Sequence, residues 1–204
     1  MNQLEALQRL RALATPVVET RDVAALLQAS ISSATTILRR LAQKRMVTHL
    51  SRGRWLVHDK IDRLALPELI SAPYPAYVSL QSALFHHGLI EQVPSVIYAV
   101  TPARPRRLQT PMGTISFHRI PPELFMGFEL LPRSDAKVAT PEKALFDLLY
   151  LAPGRSRLFS QQPELTIPRR FQWERLKEYT KLVKSAGRRT YIAERIKILR
   201  SARS

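Results

Sequence analysis

An α+β chain in two parts is predicted by three observations. Residues 1–62 read as three helical runs followed by two β-rich runs about a glycine. Residues 76–151 interleave helical and β-rich runs, and positive charge is segregated to the two ends of the chain. With 204 residues and 45% hydrophobic side chains, the chain can build a real core, which excludes wholesale disorder. It has no cysteine, which excludes a disulfide scaffold, thiolate metal sites and a cysteine nucleophile, and agrees with a reducing compartment.

The net charge is +16, from 32 Lys and Arg against 16 Asp and Glu. Residues 1–60 carry ten basic and four acidic side chains, residues 61–150 eight of each, and residues 151–204 fourteen and four. Such a surplus favours polyanions, nucleic acid before an anionic membrane. A neutral middle between basic ends suggests different partners for different parts. The plainer reading is a solvated surface in an arginine-rich chain, since 24 of the 32 basic residues are Arg. The N-terminal stretch holds Glu5, Arg9 and Arg11 without an apolar run, so no signal peptide is expected. No apolar run nears the ~18 residues of a membrane span. The expected location is the cytoplasm, without a membrane partner.

In the first part, Leu4, Leu7 and Leu10 put an apolar face on a helix over Asn2–Leu13, which Thr15–Pro16 ends. Thr20 is expected to cap a second helix, Arg21–Leu27, with Asp22 in its first turn. After the turn Gln28–Ser30, Ser32 or Ser33 caps a third helix reaching about Lys44. Ile37, Leu38 and Leu41 face inward there, while Thr35, Thr36, Arg39, Arg40 and Lys44 line the other side. Met46–Leu50 and Arg54–His58 are the strands of a hairpin whose turn, Ser51–Arg52–Gly53, uses its glycine.

Three helices and then a hairpin is the order of a winged helix-turn-helix, in which the second and third helices read DNA and the hairpin is the wing. The short side chains Ser32, Ser33, Thr35 and Thr36 let the start of the third helix approach a groove, where its amides favour phosphate. Arg39, Arg40 and Lys44 reach bases or phosphates, and Arg52 and Arg54 put charge on the wing tip. A protein-docking module is the competing reading; basic residues on both the helix and the wing favour DNA.

Residues 63–75 read as a linker held extended by Pro67, Pro73 and Pro75. In the domain 76–204, Ser79 caps a helix that Gly88 ends, Val96–Thr101 is a buried strand, and Arg106–Thr110 and Thr114–Ile120 form a hairpin about Pro111–Gly113. Thr140–Pro141 opens a core helix, an N-cap followed by proline at the first helical position, and Pro153–Gly154 stops it. Two basic helices follow, Trp173–Ala186 and Arg189–Arg200, separated by Gly187. Tyr74 and Tyr77 read as an inter-domain seam.

Four blocks of this second part carry a resemblance. Ala76-Tyr-Val-Ser-Leu-Gln-Ser-Ala-Leu84, His87-Gly-Leu-Ile90, Val93-Pro-Ser-Val-Ile-Tyr-Ala-Val-Thr101 and Ala139-Thr-Pro-Glu-Lys-Ala-Leu-Phe-Asp-Leu-Leu149 resemble the AbiE-type antitoxin family of type IV toxin–antitoxin and abortive-infection operons. The likeness spans roughly residues 5–152 and matches less clearly beyond Ala152. It implies a winged helix-turn-helix that represses its own operon on an inverted-repeat operator, as a dimer on DNA. It also implies a C-terminal domain that neutralises a nucleotidyltransferase toxin, and it locates no catalytic residue.

The chemistry of an enzyme is missing. No two of the six glycines lie closer than fourteen residues, so neither a P-loop nor a dinucleotide fingerprint is present. His49, His58, His86, His87 and His118 lack metal-ligand spacing, and Asp59 with Asp62 read as linker residues. The helix start Thr140–Lys143 suits a phosphate, but a capped core helix explains it better. The expectation is no cofactor, no metal and no catalysis. In the tail, Arg169, Arg170, Lys177, Lys181, Lys184, Arg188 and Arg189 are candidates for toxin or DNA contact, and deleting residues 155–204 is expected to separate the two roles. A ligand-responsive winged-helix regulator with no toxin partner, and an enzyme that modifies the toxin, are the competing functions.

Overall fold

The computed structural model describes residues 3–57, 61–132, 134–153 and 164–201; the expectations on His58, Asp59 and Gly154 lie outside them. The chain is mixed α+β. Its first part builds α1 (Gln3–Arg11), β1 (Val17–Glu19), α2 (Thr20–Leu26), α3 (Ile31–Gln43), β2 (Thr48–Ser51) and β3 (Arg54–Leu56). The expected helices and hairpin are present, and Gly53 closes the turn at φ +73°, a region penalised for residues with a Cβ. β1 is an addition. Its three residues are too short to show a period, and it joins β3 antiparallel to give the order β1-β3-β2.

Two expected caps move. Ser30, rather than Ser32 or Ser33, caps α3, its Oγ accepting from the Ser33 N–H at 3.1 Å. Thr20 is the first residue of α2 instead of its cap, because the hairpin holds its hydroxyl: Oγ1 donates to the Gly53 carbonyl at 3.3 Å and accepts from Trp55 Nε1 at 3.0 Å.

Alternation along the strands divides this sheet between two cores. Val18, Trp55 and Val57 pack with Leu10, Leu38 and Leu41 of the helices. Val17, Leu50 and Leu56 turn the other way, into the core of the second part. Both faces of the small sheet are therefore covered, and the first part is packed on the second.

The extended linker is overturned. Residues 63–75 hold a 3-10 turn (Arg63–Ala65) and a helix, α4 (Leu66–Ser71). Pro67 falls in the first turn of α4, where a missing N–H costs no helical bond, so it helps to start a helix instead of keeping the chain extended. Asp62 Oδ1 accepts from the Leu64 N–H at 2.9 Å and opens the turn. Leu66 and Ile70 are buried in the shared core.

The second part comprises β4 (Tyr77–Val78), α5 (Leu80–His86), β5 (Val96–Thr101), β6 (Arg106–Thr110), β7 (Gly113–Arg119), β8 (Phe128–Leu130), β9 (Lys137–Ala139), α6 (Pro141–Leu151), α7 (Trp173–Lys181) and α8 (Ala186–Ser201). Its sheet runs β6-β7-β5-β4-β9-β8, with β5–β7 and β4–β9 parallel and the other pairs antiparallel. α6 is the core helix, buried from Glu142 through Tyr150, and it opens as expected: Thr140 Oγ1 accepts from the Lys143 N–H at 3.3 Å. Ser79 occupies the cap position of α5, but its hydroxyl donates to Asp147 at 2.7 Å instead. Tyr77, expected at a seam, is buried with its hydroxyl on Asp147, whereas Tyr74 is exposed.

The tail differs most from expectation. α7 ends at Lys181, and Gly187 lies in the first turn of α8 instead of between two helices. Leu176, Val183, Ile192 and Ile196 enter the main core, so these basic helices belong to the domain.

Candidate functional site

Ala34, Leu38 and Leu41 pin α3 to the core, so at about 100° per residue its opposite side presents Ser32, Thr36, Arg39, Arg40 and Gln43. Ser33 and Lys44 are also exposed, and Thr35 is half-buried. A groove of about 910 Å³ runs between α3 and the β2–β3 hairpin, lined by Ile31, Thr35, Arg39, His49, Arg52 and Trp55 among others. A second, of about 490 Å³, continues past the turn between Arg21, Ile31, Arg52, Arg54 and Leu108. Among the described residues, no carboxylate lines the larger groove; Glu19 lines the smaller one.

The walls are held by hydrogen bonds. The Thr20 N–H donates to the Gly53 carbonyl at 2.8 Å, tying the turn to the start of α2. Trp55 reaches the same threonine, and the His49 ring packs 4.5 Å from the Trp55 ring. The hairpin wall of the groove is thus fixed to the start of α2.

Each expected contact residue has a definite disposition. Thr35 Oγ1 donates to the Ile31 carbonyl at 2.7 Å and Thr36 Oγ1 to the Ser32 carbonyl at 3.0 Å, so these hydroxyls offer lone pairs and methyls outward and keep their protons in the helix. The Ser33 amide is taken by Ser30, which reduces what the helix start offers to an anion. Arg39, Arg40 and Arg52 extend from exposed positions. Arg54 does not belong with them: its side chain is 19% exposed, and Nη2 donates to Glu19 Oε1 at 3.2 Å and to the Ala72 carbonyl at 2.8 Å. Placing it on the wing tip is corrected, because the strand that carries it faces the second part. Arg21, which the sequence reading passed over as a helix-start residue, lines the smaller groove and pairs with Glu19 at 2.8 Å.

The tail candidates divide. Lys177 pairs with Glu174 and Lys184 with Glu123, each at 2.7 Å. The Arg188 guanidinium lies 4.6 Å from the Tyr150 ring centre, and Arg189 Nη1 donates to the Val183 and Lys184 carbonyls beyond α7, at 2.6 and 3.0 Å. These four are engaged within the domain. Arg169, Arg170 and Lys181 are exposed and form no salt bridge among the described residues.

Beneath the tail lies a buried polar centre that the sequence reading did not foresee. Lys143 and Asp147, one helical turn apart on α6, form an ion pair with both side chains fully buried. Asp147 Oδ2 also accepts from Ser79 at 2.7 Å and Tyr77 at 3.0 Å, while Lys143 Nζ lies 5.0–5.7 Å from the ring centres of Phe146, Tyr77 and Tyr179. Burial pushes the Asp147 carboxyl up and the Lys143 ammonium down from their ordinary pKa values, and each opposes the other's shift. Glu142 Oε1 accepts from the Gln172 N–H at 2.9 Å, so this helix start anchors α7. The i, i+4 spacing was visible in sequence; its enclosure was not.

Among the described residues, no group of three or more His, Asp or Glu side chains is placed to hold a metal ion, and no helix is long and apolar enough to cross a membrane. His87 Nε2 lies 2.7 Å from the Ala139 carbonyl, a structural contact. Comparison with known families and with curated proteins finds no match to this chain.

Proposed function

We propose that the chain is a repressor of the antitoxin type. Its first part is a winged helix-turn-helix that binds double-stranded DNA, two copies on an inverted repeat in its own promoter. Its second part counteracts a nucleotidyltransferase toxin, in the cytoplasm. The observation that carries the reading is the groove between α3 and the hairpin, flanked by Arg39 and Arg52 and lined by no carboxylate among the described residues. The element order and the small sheet β1-β3-β2 support it.

In this reading α3 enters the major groove, with Ser32, Thr36 and Arg39 toward base edges and Arg40 and Lys44 toward the backbone. Arg52 approaches the flanking phosphates or minor groove. With Arg54 withdrawn and Arg39 on base edges, Arg40, Lys44 and Arg52 neutralise about three phosphates per copy, and log K should fall with log salt at a slope of roughly −2.7 per copy. The toxin half of the proposal is supported by the four sequence blocks and by the exposed Arg169, Arg170 and Lys181, whose charge suits an acidic metal- or nucleotide-binding cleft.

A gel shift on the chain's own promoter tests the DNA half. Replacing Arg39 and Arg40 together by Ala is expected to abolish binding while thermal unfolding stays unchanged, since both are exposed. Unchanged affinity refutes the assignment. Co-purification with the product of the neighbouring gene tests the toxin half.

A further inference from the structure

Ile31 is the residue the groove leaves unexplained. It is the first residue of α3 and is 62% exposed. It is in neither hydrophobic core nor among the side chains packed against them, yet it lines both grooves. Its neighbours along the groove are Thr35, whose hydroxyl proton is spent on the Ile31 carbonyl, and Ala42. An apolar floor therefore runs along the helix between Arg39 and Arg52. Leaving a branched aliphatic side chain this exposed forgoes most of its burial energy in the free protein.

We infer that Ile31 is a specificity residue that packs on the C5-methyl group of a thymine in the major groove. The inference rests on the DNA-binding reading above. The surrounding charge is the phosphate-facing kind, and the first residues of a reading helix approach base edges. Of the groups a duplex presents in that groove, the thymine methyl is the apolar one, whereas the other base-edge groups are hydrogen-bond donors and acceptors that isoleucine cannot satisfy. Thr35, which lines the same groove one turn further along α3, extends the contact.

The test uses the full chain and single-site duplexes recovered by binding from a random-sequence pool. Each thymine of the recovered site is replaced in turn by uracil, which removes the methyl and nothing else. The wild type is expected to bind about fourfold more weakly at one or two positions, the worth of one buried methyl. Ile31→Ala, a change at an exposed position, should lose that discrimination and bind the thymine and uracil duplexes alike. Specific binding by the wild type with no uracil effect, or an undiminished uracil effect in Ile31→Ala, overturns the inference while leaving DNA binding intact. Failure to recover any bound duplex overturns the DNA-binding reading, and this inference with it.

Discussion

The guanidinium of Arg54 stands 2.8 Å from the carbonyl oxygen of Ala72, just past the end of α4, and so joins a strand of the small sheet to the segment expected to be an extended linker. Arg106, on β6 of the large sheet, donates to the Ile70 carbonyl at 3.3 Å, two residues earlier. Two arginines from different sheets thus meet the carbonyl end of one short helix, where the partial negative charge of its dipole favours cations. Together with Val17, Leu50 and Leu56 in the main core, they fix the orientation of α3 relative to the rest of the chain.

Arg54 and Arg52 should therefore behave differently although a single residue separates them. Arg54→Ala is expected to lower stability by about 1.5–3 kcal/mol, the range for a hydrogen-bonded charged group, and to leave the salt dependence of duplex binding unchanged. Arg52→Ala should leave stability near the wild type and reduce the magnitude of the salt slope by about one. Urea unfolding and salt titrations of binding read the two effects; a salt slope that moves with Arg54 would put it back at the DNA.

Deleting residues 155–204 cannot separate toxin control from DNA binding as a sequence-level view expects, because Leu176, Val183, Ile192 and Ile196 leave the core with the tail. The truncated chain is expected to lose cooperative unfolding. Replacing Arg169, Arg170 and Lys181 together by Gln should instead keep the wild-type unfolding curve and duplex affinity, and lose co-purification of the neighbouring gene's product. Weakened duplex binding in that variant would assign the tail to DNA.

Lys143 and Asp147 predict a large, non-additive effect. Lys143→Met leaves a buried carboxylate with only the Ser79 and Tyr77 hydroxyls and should cost about 3–5 kcal/mol. Lys143→Met combined with Asp147→Leu should cost clearly less than the sum of the single changes, because no charge is then left unpaired. A double-mutant cycle by chemical denaturation measures the coupling, and additivity would contradict it.

Acid should destabilise the fold through two histidines. Burial holds the His87 and His118 imidazoles below the ordinary histidine pKa. Between the folded and unfolded values the unfolded chain binds more protons, so their contribution is complete above about pH 6.5 and declines as pH falls through that value. The urea midpoint is expected to drop between about pH 7.5 and 5.5, and the double variant His87→Gln with His118→Gln should drop less. Equal drops in both would show that other groups govern the acid limb.

Much of the candidate site could be read from local pattern. Leu38 and Leu41 announce which side of α3 is inward, and glycine after Ser51–Arg52 announces the turn; Ile37, expected inward with them, is half-buried, and Ala34 takes the enclosed position. Which arginines remain outward could not be read: Arg52 and Arg54 flank the same glycine, and only the packing of β3 against α4 sends one to solvent and the other to the seam. Ile31 gave no signal either, since an isoleucine at a helix start reads as core until the core is seen to close without it.

The amino-acid order alone determined the helices other than α4, the hairpin, the capped start at Thr140–Pro141 and the two basic ends, because turn preferences, capping and periodicity act over a few residues. The tertiary structure alone decided that β1 completes the small sheet, that residues 63–75 hold a helix, that the basic tail is docked and that Lys143 and Asp147 are enclosed together. Those outcomes depend on which distant surfaces meet, and a residue's identity carries no record of what will be packed against it.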